Sequence, residues 1–170
     1  MTRSEGTLVK PWVERSPIPA AMLNPALFAS LSAASAEEYR RRSRRNMPWH
    51  MVFLIAPLVL HRTTREALPR DVRTHMANWV GDHAVIIAGF PERARELVVP
   101  VQEGLRFGLR HQVLEIDGEG GLRGSLSVGA RPETAGGDLP GLVRAAGFMG
   151  RWLTKLDQPA TAYALLGVTP

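Results

Sequence analysis

The chain has 170 residues, 45% of them hydrophobic and 22% charged, with a net charge of +5 and no cysteine. That length holds one core rather than two, and the spread of apolar residues excludes both a disordered chain and a multispanning membrane protein. The lack of thiols excludes a disulfide framework, a thiolate zinc site and a cysteine nucleophile. Of the 21 basic residues only Lys10 and Lys155 are lysines, so 19 are arginines, a skew that part of the Ala-, Gly-, Pro- and Leu-rich composition shares. The high positive charge favours acidic partners, whether nucleic acid or an acidic protein face.

Residues 1–16 read as an extended N-terminal segment that is polar except for "LVKPWV". It has neither the apolar stretch of a signal peptide nor the look of a transit peptide, so the expected location is cytoplasmic. Pro17 and Pro19 punctuate the chain, and residues 17–170 read as a single helical domain. Asn24 is suited to cap a helix that starts at Pro25, with Leu27, Phe28, Leu31, Ala34 and Ser35 on one stripe. At the far end of that helix stand Arg40, Arg41, Arg42, Arg44 and Arg45, five arginines in six positions, where cations suit the helix dipole.

The segment "WHMVFLIAPLVLHRTTREAL" reads as a second helix, kinked or restarted at Pro57. Its apolar part ends at His61-Arg62, well short of the ~20 residues that a bilayer span requires. A helix apolar on every side is buried on every side, so this is the expected central helix of the core. "PRDVRTHMANWVGDH" reads as a third helix with Val72, Met76, Trp79 and Val80 on one face. "FPERARELVVPVQEGLRFGLRHQ" reads as a fourth, with Ala94, Leu97, Val98, Val101, Leu105 and Leu109 in register across Pro100.

The period then changes, and "VLEID" and "LRGSLS" around "GEGG" give a β-hairpin at about 112–127. A Gly/Pro-rich loop over residues 131–140 precedes a fifth helix with Leu142, Ala146, Met149, Leu153 and Leu156 on one side. Pro159 and Gly167 bracket a short last helix. The fold class is therefore mainly α (α+β), a helical domain with a small hairpin. The order helix, helix, hairpin is that of a winged helix, whose wing the hairpin would be.

No local signature of catalysis or metal binding is present. His50, His61, His75, His83 and His111 do not pair at metal-ligand spacing. Glu92 and Glu96 alternate with Arg93 and Arg95 as a solvated helix face does, and Glu115 and Asp117 alternate on a strand beside the glycine turn. There is no G-x-S-x-G, no Walker A loop and no G-x-G-x-x-G between strand and helix. A stand-alone enzyme would have to assemble its site from distant residues, and no catalytic residue or cofactor is nominated. The arginine run has three readings: a nucleic-acid hook, the flank of a membrane anchor, or the solvated end of one helix leading into a buried second one. The anchor reading falls with the short apolar run.

Six blocks in order carry a family resemblance: "LNPAL" at 23–27, "FLIAPLVLHRTTREALP" at 53–69, "HMANWV" at 75–80, "ERARELVVPVQEGLRFGLRH" at 92–111, "AAGFMGRWLTKL" at 145–156 and "TAYALLGVTP" at 161–170. With them the chain resembles the middle-component family of the prokaryotic three-component ABC-ATPase conflict systems, a group close to the small subunit of Lamassu-type anti-phage defence. The resemblance implies a non-enzymatic adaptor, without cofactor, partnered by an SMC/Rad50-like ABC ATPase and an effector, and connecting ATPase state to effector release. The arginine run lies outside the matched blocks, and the loop at 131–140 departs from them.

Because Trp and Arg dominate interface hot spots, the candidate partner-binding residues are Trp12, Arg15, Arg62, Arg65, Arg151 and Trp152. Arg40, Arg41, Arg42, Arg44 and Arg45 form a candidate patch for nucleic acid or an acidic partner. The competing function from another class is a small winged-helix DNA-binding regulator or DNA sensor. Against it, the helix before the hairpin offers only Arg106, Arg110 and His111 to phosphates.

Overall fold

The computed structural model describes residues 23–126 and 138–169. The expected extended segment over residues 1–16, the prolines that follow it and most of the loop over 131–140 lie outside the described residues. In chain order the elements are α1 (Pro25–Ser43), β1 (Met47–Pro48), a 3-10 turn (Trp49–Met51), α2 (Val52–Leu60), α3 (Arg62–Glu66), α4 (Met76–Asp82) and α5 (Ala84–Ala88). They continue with α6 (Phe90–Glu96), α7 (Val98–Arg110), β2 (Leu114–Ile116), β3 (Gly121–Gly124), α8 (Leu139–Leu153) and α9 (Pro159–Leu165).

α1 begins where its sequence says it should. Asn24 is extended, and its side-chain oxygen accepts the Ala26 N–H at 2.9 Å, a cap worth about 1 kcal/mol, while Pro25 has no N–H to leave unpaired. The expected single stripe is only part of what it buries. Phe28, Ala29, Leu31, Ser32, Ala33, Ala34, Ser35 and Ala36 are all buried, so every side of this stretch is covered. The hydroxyls of Ser32 and Ser35 donate to carbonyls of their own helix, Phe28 and Leu31, at 2.8 and 3.0 Å. No polar atom of either side chain then needs water.

Small side chains permit this because glycines face them. A Cβ at Gly150 of α8 would lie 2.1 Å from the Ser35 carbonyl oxygen, and one at Gly124 of β3 would lie 2.4 Å from the Ala33 Cα. Both contacts are with backbone, which cannot swing away. α2, α7, α8 and β3 all pack against α1. The central helix is therefore α1 and not, as hydrophobicity alone suggests, the more apolar α2, which is nonetheless buried at Val52, Leu54, Ile55, Ala56, Pro57, Leu58 and Val59.

Three helices read as continuous are divided or shortened. α2 runs through Pro57 and breaks instead at His61, whose backbone is extended (φ −77°, ψ 109°). There the His61 Nδ1 accepts the Thr64 N–H at 3.3 Å and caps α3. The long fourth helix is cut at Leu97 into α6 and α7. Its Pro100 lacks an N–H, and its ring crowds the carbonyl four residues earlier, on Glu96, where α6 stops. The third helix starts only at Met76, because the Asp71 carboxylate accepts the Arg73 N–H at 2.8 Å and holds a turn.

The hairpin forms as expected, with Leu114 opposite Gly124, Glu115 opposite Arg123 and Ile116 opposite Leu122. At its turn the Asp117 carboxylate accepts from the Glu119 and Gly121 N–H groups at 2.9 and 2.8 Å, and Gly120 takes φ 79°. The unforeseen part is β1, which pairs with β3 through Met47 opposite Leu122 and Pro48 opposite Gly121. The sheet is antiparallel with order β1-β3-β2. The fold is mainly helical with this small sheet, and likeness to a winged helix rests on element order alone.

α9 closes as its Pro159 and Gly167 predict. Gly167 takes φ 69°, its N–H donates to the Ala164 carbonyl at 3.2 Å, and the Val168 N–H donates to that of Tyr163 at 3.1 Å, the paired bonds of a Schellman stop. Among the described residues no helix is long and apolar enough to cross a membrane.

Candidate functional site

The arginine run occupies the last turn of α1 and its cap. Arg40, Arg41 and Arg42 are helical, whereas Arg44 takes the left-handed conformation at φ 61° with its N–H bonded to the Arg40 carbonyl at 2.9 Å. All five side chains are exposed. Arg41 is held by Glu37 at 2.5 Å and by Glu38 at 2.8 Å. Arg40, Arg42, Arg44 and Arg45 have no carboxylate partner among the described residues. Burial pushes the Tyr39 phenol up, and the nearby Arg45 cation partly opposes it.

Arg123, brought in by β3, shares a shallow groove with Arg40, Arg41, Arg44 and Asn46. It pairs with the Glu115 carboxylate, 3.7 Å away, and its charge also reaches Asp117. The Asn46 side-chain amide donates to Asp117 at 2.7 Å. That bond and the two backbone N–H bonds of the turn hold the Asp117 carboxyl below its usual range.

The residues nominated for partner binding do not come together. Trp12 and Arg15 lie outside the described residues. Arg62 is exposed and paired with Glu66 at 2.7 Å. Arg65 is only 14% exposed and donates to the Val59 carbonyl at 2.7 Å and to the Asp138 carboxylate, so it ties α3 to the end of α2 and the start of α8. Trp152 is in the core at 1% exposure, its indole N–H bonded to the Thr74 carbonyl at 2.7 Å and its ring edge-on to Trp79. Arg151 is half-exposed and bridges to Glu38 at 2.7 Å, on the same carboxylate that holds Arg41.

A groove absent from the sequence reading lies on another face. It has a volume of about 600 Å³ and is walled by Trp49, Phe53, Pro91, Ala94, Val98 and Val168, with Arg95 at the rim. Trp49 stands 40% exposed at its mouth, edge-on to Phe53. Arg95 is exposed and has no carboxylate partner among the described residues. At the floor the Tyr163 hydroxyl donates to the His50 carbonyl at 2.9 Å and meets the His50 Nδ1 at 2.8 Å. The phenol has a single proton, already given to the carbonyl, so Nδ1 is the donor in the second bond. Burial pushes the Tyr163 phenol up to about 12 and the His50 imidazole down, so both are neutral in this pair.

The local signal for the groove was a tryptophan between Pro48 and the apolar run, a position that a buried helix start does not require. Nothing local points to Tyr163, 113 residues from His50. Among the described residues no three His, Asp or Glu side chains gather as a metal ion would require. The arrangement offers two binding surfaces, one basic and one apolar with a cationic rim.

No curated protein and no solved structure is significantly similar to the chain. Residues 12–170 match the family model described as the ABC-three component (ABC-3C) system Middle Component 3, and with nearly its whole length matched the chain belongs to that family.

Proposed function

We propose that the protein is a non-catalytic adaptor that links an SMC/Rad50-like ABC ATPase to an effector in a prokaryotic anti-phage defence complex, with kinship to the Lamassu small subunit as part of the same reading. Membership of the middle-component family carries the proposal, since a middle component implies partnership with the other components of an ABC system. The Trp49 groove supports it as a place for the ATPase to hold on. An exposed tryptophan beside an apolar trough, with a guanidinium at its edge that is unpaired among the described residues, has the chemistry of an interface hot spot. It suits an apolar anchor followed by a carboxylate for Arg95.

The test is co-expression of the chain with the ATPase and effector encoded beside it, followed by affinity capture and size-exclusion chromatography. Co-elution of the three is the expected result, with capture of the ATPase reduced at least tenfold by Trp49→Ala combined with Arg95→Glu. A chain that elutes alone as a monomer sinks the adaptor reading. A complex untouched by the double substitution moves the ATPase contact to another face.

A further inference from the structure

We propose that the basic end of α1, together with Arg123 of β3, is a docking surface for the phosphodiester backbone of nucleic acid. This goes beyond the adaptor reading and does not depend on it. Most of the charge is uncompensated among the described residues. Glu37 and Glu38 hold Arg41 and Arg151, the Asp117 carboxylate is filled by Asn46 and two N–H groups, and Arg40, Arg42, Arg44 and Arg45 are left without a carboxylate among the described residues. Like charges at such spacing destabilise one another, and a polyanion removes that repulsion.

The backbone that carries these arginines is fixed before any ligand arrives. The Arg44 N–H is bonded to the Arg40 carbonyl, the Arg45 N–H donates to the Ser43 hydroxyl at 3.1 Å, and two residues later Met47 is locked into the sheet opposite Leu122. The backbone under the arginines is thus held from both ends, and only their side chains remain to be ordered on binding. Arg123 joins from a strand some 80 positions along the chain, which the composition of the run does not explain.

The lining of the groove distinguishes the two kinds of acidic partner. Residues 40–46 contain no apolar side chain, and the groove beside them is lined by Arg40, Arg41, Arg44, Asn46 and Arg123 alone. Protein interfaces place aromatic and apolar anchors at the centre and deplete charge there, whereas interfaces with DNA are more polar and far more positive. Trp49, the nearest exposed aromatic, is not in that groove; it lines a second one with Arg45, Asn46 and the hairpin-turn carboxylates of Asp117 and Glu119. Guanidinium forks fit phosphate oxygens in pairs, and since no side chain here is placed to read base edges, binding is independent of sequence.

Fluorescence anisotropy of a labelled, mixed-sequence DNA duplex with the full chain, from about 50 to 200 mM salt, tests this. Each phosphate neutralised adds about −0.9 to the slope of log K against log salt, so a slope of about −4 is expected. In the variant R40Q/R42Q/R44Q/R45Q the affinity is expected to fall at least tenfold at the lowest salt and the slope to flatten by about three. Arginine-to-lysine changes at the same four positions are expected to keep the slope, and Arg62→Gln with Arg73→Gln, which remove carboxylate-paired arginines elsewhere, to leave binding unchanged. An unaltered far-UV spectrum and melting temperature of the glutamine variant show that the loss is not unfolding. Failure of the wild-type chain to bind duplex, or an unchanged slope in the glutamine variant, overturns the proposal. So does a glutamine variant that keeps duplex binding but no longer co-elutes with the other components, which makes the patch a protein contact. The adaptor reading is judged separately by that co-elution.

Discussion

Two helices lie in the interior side by side, and they are buried by opposite means. α2 brings Leu54, Ile55, Leu58 and Val59, side chains that fill space, while α1, beyond Phe28 and Leu31, brings Ala29, Ser32, Ala33, Ala34, Ser35 and Ala36, side chains that leave it. Around α1 the space is closed by backbone instead, with Gly150 and Gly124 allowing α8 and β3 to come within contact of its main chain. Burial follows from side-chain size in one helix and from the approach of neighbours in the other. A scale of residue hydrophobicity registers only the first.

The contact between α1 and α8 is tightest at Gly150. Adding one methyl there, Gly150→Ala, sets a carbon against the Ser35 carbonyl and forces α8 off α1, at an expected cost of about 3 kcal/mol or more by urea denaturation. Deleting three carbons from α2 with Leu58→Ala is expected to cost about 3 kcal/mol, from lost burial and the cavity left behind. Wild-type stability in Gly150→Ala would show that α1 and α8 are not in close contact and remove the contrast.

A smaller effect tests what fastens α9 over the start of α2. The Tyr163 phenol is pushed up to about 12 in the fold by burial and is ordinarily near 10.0. The folded state therefore holds the proton to higher pH than the unfolded chain. The resulting stability is present below pH 10 and lost as pH rises from 10 towards 12. Tyr163→Phe is expected to cost about 1 kcal/mol at neutral pH, from the hydrogen bonds to His50, and to flatten the loss above pH 10 in alkaline melts. An equal alkaline loss in the phenylalanine variant assigns that loss to other groups.

The smallest effect is the most diagnostic for α1. Ser35 is fully buried, yet among the described residues its hydroxyl bonds only to carbonyls of its own helix, Leu31 and Ser32, both at 3.0 Å. Alanine is the better helix former, so Ser35→Ala is expected to change stability by no more than about 0.5 kcal/mol, in the direction of gain. A loss of 1 kcal/mol or more by urea denaturation would mean that the hydroxyl serves a group outside α1.

These residues show which parts of the fold were legible in the sequence. Asn24-Pro25, the glycine turn of the hairpin and the pair Pro159 and Gly167 act through their own backbone chemistry, and each marks the boundary it was expected to mark. The break at Leu97 was hidden because apolar periodicity continues through it, and the one at His61 because helix resumes at once over Arg62–Glu66. Pro100 pointed to the first, but its effect falls on the carbonyl four residues earlier. β1 is two residues long and exists only because Leu122 and Gly121 are opposite it. The centrality of α1 was invisible since alanine and serine carry little hydrophobic signal.

The site was legible to the same degree. Charge density marked the arginine run, but which arginines are already paired depends on Glu37 and Glu38 one turn back, and Arg123 joins only through the sheet. Choosing tryptophans and arginines by type selected Trp152 and Arg65, both occupied inside the fold, and passed over Trp49.

The short strand β1 also bears on how the chain meets a protease. Trypsin cuts after arginine, but only where a stretch of backbone can be drawn out into its cleft. The densest cluster of tryptic bonds, after Arg40, Arg41, Arg42, Arg44 and Arg45, lies between the last turns of a buried helix and a strand paired at Met47. Peeling it out means undoing α1. Limited digestion is therefore expected to leave these bonds intact until the whole domain opens, so that the rate of cleavage there reports global unfolding rather than local fraying.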